Sequence, residues 1–272
     1  MEKNYTGPQT LSFIKKRPAD SHKGVFGTLV SLTGSRYMTG AAYLSSMGAL
    51  RSGVGLLKLA ADDYVQSVLK TCLYEAVFIR PDEMIKQNAS AYLIGCGIGR
   101  EYDGLLRTLL PCLDKPTIID ADGINYVAAN INVLKNMRSS ASPILTPHPA
   151  EMGRLLNRDT AYVQSGREQV ALSFAAEYGC VLVLKGKNTV IAAPDGRLTV
   201  NTSGNSGLSK GGSGDVLAGV IASLCAQGYS PYDAAVVGVY VHGLAADRLA
   251  AKYGEHGLLP RDLPAEIGAI LG

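Results

Sequence analysis

Short, unbroken apolar stretches recur along the chain, and each ends in glycine, proline, lysine or an acid. Leu29–Thr33 runs into Gly34, Leu56–Ala60 into Asp62-Asp63, Ala91–Ile94 into Gly95 and Thr117–Ile119 into Asp120. Ile144-Leu145 runs into Thr146-Pro147, and Val181–Leu184 into Lys185-Gly186. Continuous rather than alternating hydrophobicity predicts strands buried on both faces. Between these runs the apolar residues adopt helical spacing. Helices are predicted over 40–52, 103–113, 162–178 and 214–227, and over 231–252 as one or two helices. A hairpin is predicted around Asp195-Gly196. Strands alternating with helices specify the α/β class, with a mostly parallel central sheet and helices on both faces. No repeat, linker or composition break divides the chain, so residues 1–272 read as a single domain with residues 1–20 as an undetermined lead-in.

In such sheets ligands bind beyond the carboxyl ends of the strands. That rule gathers Gly34, Gly95 to Gly99, Asp120, Asp122, Thr146 to Glu151 and Lys185 to Thr189 at one edge. Composition agrees with a folded domain: 47% of residues are apolar and 18% charged, enough for a core and too hydrophobic for disorder. The net charge is +3, and the longest basic cluster is Lys15-Lys16-Arg17, which argues against a nucleic-acid partner and suits small anionic ligands. The five cysteines (Cys72, Cys96, Cys112, Cys180 and Cys225) form no CxxC pair and read as reduced thiols in or near the core. The start, Met1 to Tyr5, is polar, and no signal peptide or spanning helix is visible, so a cytoplasmic location without a membrane partner is expected.

The strongest chemical signal is the segment Asn201 to Asp215 (NTSGNSGLSKGGSGD), which opens the helix over 214–227. Unpaired N–H groups and the helix dipole make such a turn an anion site. Gly211, Gly212 and Gly214 let a phosphate approach, and Asp215, in the first helical turn, can take a proton from a substrate hydroxyl. The plainer alternative is a helix cap after a glycine turn. Neither the P-loop spacing nor a dinucleotide fingerprint is present. Lys185-Gly186-Lys187-Asn188-Thr189 leaves a buried strand with two lysines suited to nucleotide phosphates or ribose, or forms a surface hairpin turn. His148, between Pro147 and Pro149, is held in a rigid loop, as a ligand contact or as an ordinary surface histidine. Asp120 and Asp122 can hold Mg²⁺, orient ligand hydroxyls or cap the next helix. The small residues Thr39-Gly40-Ala41-Ala42 admit a bulky ligand or allow close helix packing, while His22, His242 and His256 read as structural.

Taken in order, these segments resemble the ADP- or ATP-dependent NAD(P)H-hydrate dehydratases. The matching stretches are His22 to Gly27, Tyr37 to Ala42, Ala49 to Gly55, Ile94 to Gly99, Asp120 to Asp122, Thr146 to Glu151, Leu184 to Gly186 and Asn201 to Asp215. The final loop is shared with other ribokinase-like enzymes; the Thr-Pro-His-Pro segment and the His22-Lys23-Gly24 opening are more particular. The resemblance implies a ribokinase-like fold and dehydration of the S epimer of hydrated NADH or NADPH, coupled to hydrolysis of ADP or ATP with Mg²⁺ on the phosphates. It implies Asp215 as base, with Gly212, Ser213 and Gly214 as the anion hole. It implies Ala41, Gly97, Gly99, His148 and Asp215 as contacts of the hydrated nucleotide, and Lys185, Gly186, Lys187, Asn188, Thr189 and Gly214 as contacts of the adenine nucleotide. Metal ligands stay unassigned. A homotetramer is also implied, with any epimerase expected as a separate protein. The chain departs from the family pattern at Cys96, usually proline, at Ala150, usually glycine, at Ser213, usually threonine, and at Gly123, where alanine is common. Two alternatives remain at this level: a vitamin-type small-molecule kinase of the same fold, and a nucleotide sensor without turnover.

Overall fold

All six strands anticipated from the apolar runs form, and four more join them in one sheet. They are β1 (Lys3–Tyr5), β2 (Thr28–Leu32), β3 (Leu56–Ala60), β4 (Ala76–Ile79), β5 (Ala91–Ile94), β6 (Thr117–Ile119), β7 (Ile144–Leu145), β8 (Val181–Leu184), β9 (Val190–Ala192) and β10 (Leu198–Val200). The computed structural model describes residues 3–272; Met1 and Glu2 of the polar lead-in lie outside the described residues. The order across the sheet is β1-β10-β9-β8-β7-β6-β5-β2-β3-β4, and β9 alone runs antiparallel to its neighbours. The hairpin at Asp195-Gly196 joins β9 to β10, with Gly196 at φ 92.

The helices are α1 (Thr39–Arg51), α2 (Asp63–Leu69), α3 (Asp103–Leu109), α4 (Asp122–Ala129), α5 (Val133–Asn136), α6 (Pro149–Leu156), α7 (Thr160–Ser165), α8 (Arg167–Tyr178), α9 (Ser213–Ala226), α10 (Pro231–Gly257) and α11 (Leu263–Leu271). Side chains alternate across the strands and feed two cores. Leu29, Leu93, Ile118 and Val183 pack under α9, α10 and α11, while Val30, Ile94, Ile119 and Leu182 pack under α3, α4, α6 and α8. Helices thus cover both faces, which is why the strands lack a polar side.

α9 lies backbone to backbone on α1. A Cβ added to Gly219 would fall 2.0 Å from the Ser45 carbonyl oxygen, and one added to Gly48 would fall 2.5 Å from that of Val216. Gly48 of α1 and Gly219 of α9 therefore serve close packing, and that packing fixes where the N-terminus of α9 points.

Several expectations are corrected. The helix predicted over 162–178 is two, α7 and α8, divided at Gly166 (φ −153). The helix predicted over 103–113 is α-helical only to Leu109 and continues as a 3-10 turn around Pro111, whose ring cannot sit in the α ladder. Residues 3–20 are not featureless: β1 pairs with β10, and a 3-10 turn follows over Pro8–Phe13. Two of the five thiols, Cys72 and Cys112, are exposed rather than near the core. One helix, α10, is long and apolar enough to cross a membrane by length and composition, although 67% of its apolar window is buried inside the fold.

Candidate active site at the strand ends

The N-terminus of α9 begins at a turn that only glycine can make. Gly212 has φ 101, and a Cβ there would lie 2.4 Å from Leu44 Cδ1. Gly214 takes ordinary helical geometry, and its missing Cβ would lie 3.3 Å from Lys185 Nζ and 3.7 Å from Asp120 Oδ2. Between them, Ser213 is buried and its hydroxyl has no hydrogen-bond partner among the described residues. The Ser213 N–H donates to the Lys210 carbonyl at 3.2 Å, whereas the N–H groups of Gly214 and Asp215 have no backbone partner among the described residues and are the donors this helix end offers to an anion. Lys210, in the same glycine loop, is used elsewhere: its ammonium donates to the carbonyls of His256 (2.7 Å) and Leu258, tying the loop to the end of α10.

A cavity of about 600 Å³ opens on this turn. Its walls are Lys185 to Thr189, Asn201 to Ser206, Leu208, Ser209, Ser213, Gly214 and Leu217, closed by Val239, His242, Gly243 and Glu255. The Lys185–Thr189 turn is held by Arg167, whose Nη2 donates to the Leu184 carbonyl at 2.9 Å, and by Thr189 Oγ1, which donates to the Gly186 carbonyl at 2.9 Å. The opposite wall is stitched by Asp247, which accepts from Gly204 N and Asn205 Nδ2, both at 2.9 Å.

Beside the turn lies a cluster of charges at the ends of β6, β7 and β8. Asp120 is 1% exposed, and Lys185 Nζ donates to it at 2.8 Å. Lys185 Nζ also stands 4.0 Å from Glu151 Oε2. Burial pushes the Lys185 ammonium down, but Asp120 and Glu151 outweigh it and leave its pKa raised. Burial, reinforced by Asp120, lifts the Asp215 carboxyl to about 6. With a pKa of about 6 Asp215 is mostly ionised at neutral pH, and the nearby Lys185 ammonium favours that charged form although no salt bridge to Asp215 forms among the described residues. Burial lifts Glu151 further, to about 7. Cys96 Sγ lies 4.0 Å from Asp120 Oδ2, and one ligand atom from each of Cys96, Asp120 and Asp215 falls within 4.8 Å of the others. Burial holds that thiol protonated, and it donates to Asp120 Oδ2.

This cluster does not fit a resident Mg²⁺. One donor is a thiol, a poor partner for a hard cation, and the Lys185 ammonium already occupies Asp120. Of the three roles open for Asp120 and Asp122, the geometry speaks against a metal held between them. Asp122 turns away instead: its Oδ2 accepts from Gly99 N at 2.8 Å. Ala121 between them sits at φ 51, a strained conformation for alanine that lets the two carboxylates diverge.

The remaining anticipated residues line the same edge. A Cβ on Gly97 (φ 64) would meet the Ala41 side chain at 2.6 Å, so the β5 loop touches the start of α1. His148 caps α6: its Nδ1 accepts from Ala150 N (3.1 Å) and Glu151 N (3.3 Å). The proton must then be on Nε2, and burial together with Lys185 and Arg154 lowers the ring's pKa, which leaves a neutral donor half exposed at the rim. Glu151 Oε2 accepts from His148 N at 2.7 Å, completing the cap. The fold thus brings all the anticipated segments to one edge and divides them. Lys185 to Thr189, Ser213 and Gly214 line the cavity, whereas Ala41, Gly97, Gly99, His148, Gly212 and Asp215 lie outside its walls. Sequence reading missed the walls from α10 and the role of Glu151. Val239, His242 and Gly243 sit in a helical repeat that reads as core, and Glu151 reads as an ordinary first-turn acid.

The profile of the NAD(P)H-hydrate dehydratase family matches residues 29–268. The chain belongs to this family. The ADP-dependent (S)-NAD(P)H-hydrate dehydratase of Neisseria meningitidis is 39% identical over 246 residues, covering 89% of this chain and 83% of the relative. The bifunctional NAD(P)H-hydrate repair enzyme of Moorella thermoacetica is 36% identical over 93% of this chain, but the chain spans about half the length of that relative, 50%. The crystal structure of the ADP/ATP-dependent NAD(P)H-hydrate dehydratase of Bacillus subtilis, co-crystallised with ATP and Mg²⁺, superposes with a TM-score of 0.86 at 32% identity, covering 96% of this chain and 94% of that one. For a dehydratase-family member, the mostly parallel, helix-covered sheet is the ribokinase-like architecture that the motifs implied. The glycine turn at the start of α9 lies within the matched residues and opens into the cavity.

Proposed function

We propose that the chain dehydrates the S epimer of hydrated NADH or NADPH and couples this to hydrolysis of ADP, or of ATP. One observation carries the reading: the first turn of α9, with the free N–H of Gly214, opens on a nucleotide-sized cavity, and a carboxylate, Asp215, mostly ionised at neutral pH, stands beside it. The adenine nucleotide occupies the cavity against Lys185 to Thr189, with its terminal phosphoryl at Gly212, Ser213 and Gly214. The hydrated nicotinamide approaches from the other side, past Ala41, Gly97, Gly99 and His148. Asp215 accepts the proton of the ring hydroxyl as that oxygen attacks the terminal phosphorus, and AMP (or ADP) leaves. Inorganic phosphate then departs with the former hydroxyl oxygen, the ring nitrogen's lone pair pushes, and loss of the neighbouring ring proton restores the dihydronicotinamide. The positive end of the α9 dipole and the Lys185 ammonium offset charge on the migrating group. Mg²⁺ belongs in this reading on the nucleotide's phosphates. The single-domain reading of residues 1–272 stands with it, as does a cytoplasmic homotetramer, whose stoichiometry light scattering tests.

The deciding experiment mixes the purified chain with hydrated NADH, ADP and Mg²⁺ and follows return of the NADH absorbance band. Return of the band with stoichiometric phosphate release supports the reading. A stable phosphorylated product without that band identifies a kinase instead. Asp215→Asn is expected to abolish turnover and leave ADP binding nearly unchanged.

A further inference from the structure

His242 is buried on α10 and touches the catalytic turn from behind. Its Nε2 lies 3.0 Å from the Ser213 carbonyl oxygen, and its side chain also borders the cavity. A carbonyl only accepts, so Nε2 must carry the proton and donate it. Burial holds the ring's pKa down at about 4, so the imidazole is a neutral donor throughout the working range of pH. The histidine cannot drift. α10 is bound to the glycine loop at this level by Ser203 Oγ, which donates to the Tyr240 carbonyl at 2.9 Å, and by Asp247, which accepts from Gly204 and Asn205. Gly243 removes any slack, since a Cβ there would lie 2.2 Å from Ser203 Oγ.

The Ser213 carbonyl belongs to the same peptide plane as the Gly214 N–H. In a trans peptide the two point in opposite directions. A donor that grips the carbonyl from one side therefore sets the direction of the N–H on the other. It also polarises that N–H, because hydrogen bonds in a chain strengthen one another. The carbonyl has a lone pair to spare beyond the one used by the helix ladder.

We infer that His242 is a positioning residue for phosphoryl transfer, holding the Ser213–Gly214 peptide so that its N–H is aimed and strengthened for the migrating phosphate. The inference rests on the dehydratase reading and adds to it a residue that touches no reacting atom. The test compares His242→Gln, whose amide nitrogen reaches about as far as Nε2 and can donate, with His242→Leu, which fills the space and cannot. Activity is read with hydrated NADH and ADP, and folding by thermal melting. H242L is expected to lose about 10- to 100-fold in kcat, while KM for both substrates stays within about threefold and H242Q stays within about threefold of the parent in kcat. A merely structural role would lower the melting temperature of both variants and would not separate kcat from KM. A folded H242L with parental kcat overturns the inference, as does a folded H242Q that falls as far as H242L. Should H242L fail to fold, H242F repeats the comparison with a ring of similar size and no donor. If the parent itself never converts hydrated NADH, the proposed function fails; if the parent turns over and H242L matches it, only the role of His242 fails.

Discussion

Gly214→Ala separates catalysis from stability more sharply than any other single change. Gly214 lies in the second position of α9 with ordinary helical geometry, so alanine meets no backbone strain. Its methyl would sit 3.3 Å from Lys185 Nζ, the far end of a flexible side chain, and 3.7 Å from Asp120 Oδ2. Helix propensity favours alanine over glycine by up to about 1 kcal/mol, which a small shift of the lysine can offset. The melting temperature is therefore expected to stay within about 2 °C of the parent. Activity is another matter, because the methyl occupies the space through which a phosphate oxygen must reach the turn. Loss of one anion-hole contact costs about 3–4 kcal/mol of transition-state stabilisation, or roughly 10²–10³ in kcat. The assay is recovery of NADH absorbance from hydrated NADH with ADP, beside circular-dichroism melts. Gly212→Ala serves as the contrast: its positive φ and the 2.4 Å approach to Leu44 Cδ1 are expected to cost about 2 kcal/mol or more of stability. If G214A melts like the parent and also turns over within about threefold of it, phosphate does not pass over Gly214 and the reasoning is wrong.

Other consequences follow from the charge cluster. Asp215 must be ionised to act as base, and burial lifts its pKa to about 6, so kcat/KM is expected to fall as pH drops below that value. Cys96→Ala removes a polar thiol within 4.8 Å of the Asp215 carboxylate that favours its charged form, so the acid limb of the profile should move to higher pH; an unmoved limb would show that the thiol does not tune the base. Lys185→Met leaves Asp120 buried without its cation, with an expected loss of about 3–5 kcal/mol in chemical denaturation, and adding Asp120→Asn should recover part of it. The pKa of Glu151 is raised on folding, from 4.5 to about 7, so its contribution favours the fold at low pH and is lost as pH rises through that window. Glu151→Gln should therefore melt above the parent at pH 8, by about 1–3 kcal/mol in stability, and match it at pH 5; equal melts at both values would show that the carboxylate is not strained.

The hydrophobic pattern alone was enough for the α/β class, the six inner strands and the helices α1, α9 and α10 to within a residue or two at most ends, because burial on both faces leaves a continuous signature. It missed β4, whose half-exposed residues at the sheet edge blur that signature, and it ran α7 into α8 because apolar spacing continues past Gly166. The chemistry of the glycine turn was also local: Gly212 to Asp215 open a helix wherever that helix sits, so the anion site could be read from composition and position. Which groups surround it was a matter of three-dimensional arrangement. Asp120, Glu151 and Lys185 are far apart in the chain and each looks like an ordinary polar end of a strand or helix; the assembled sheet brings both carboxylates within 4.0 Å of the lysine and excludes water, and only then do their charges and pKa values depend on one another. His242 shows the same limit, since a histidine in an apolar helix becomes a specific donor only when α10 packs against the first turn of α9. Local backbone preference and hydrophobic periodicity are short-range and survive in the sequence, whereas electrostatic coupling depends on distance and burial, which exist only once the sheet has assembled.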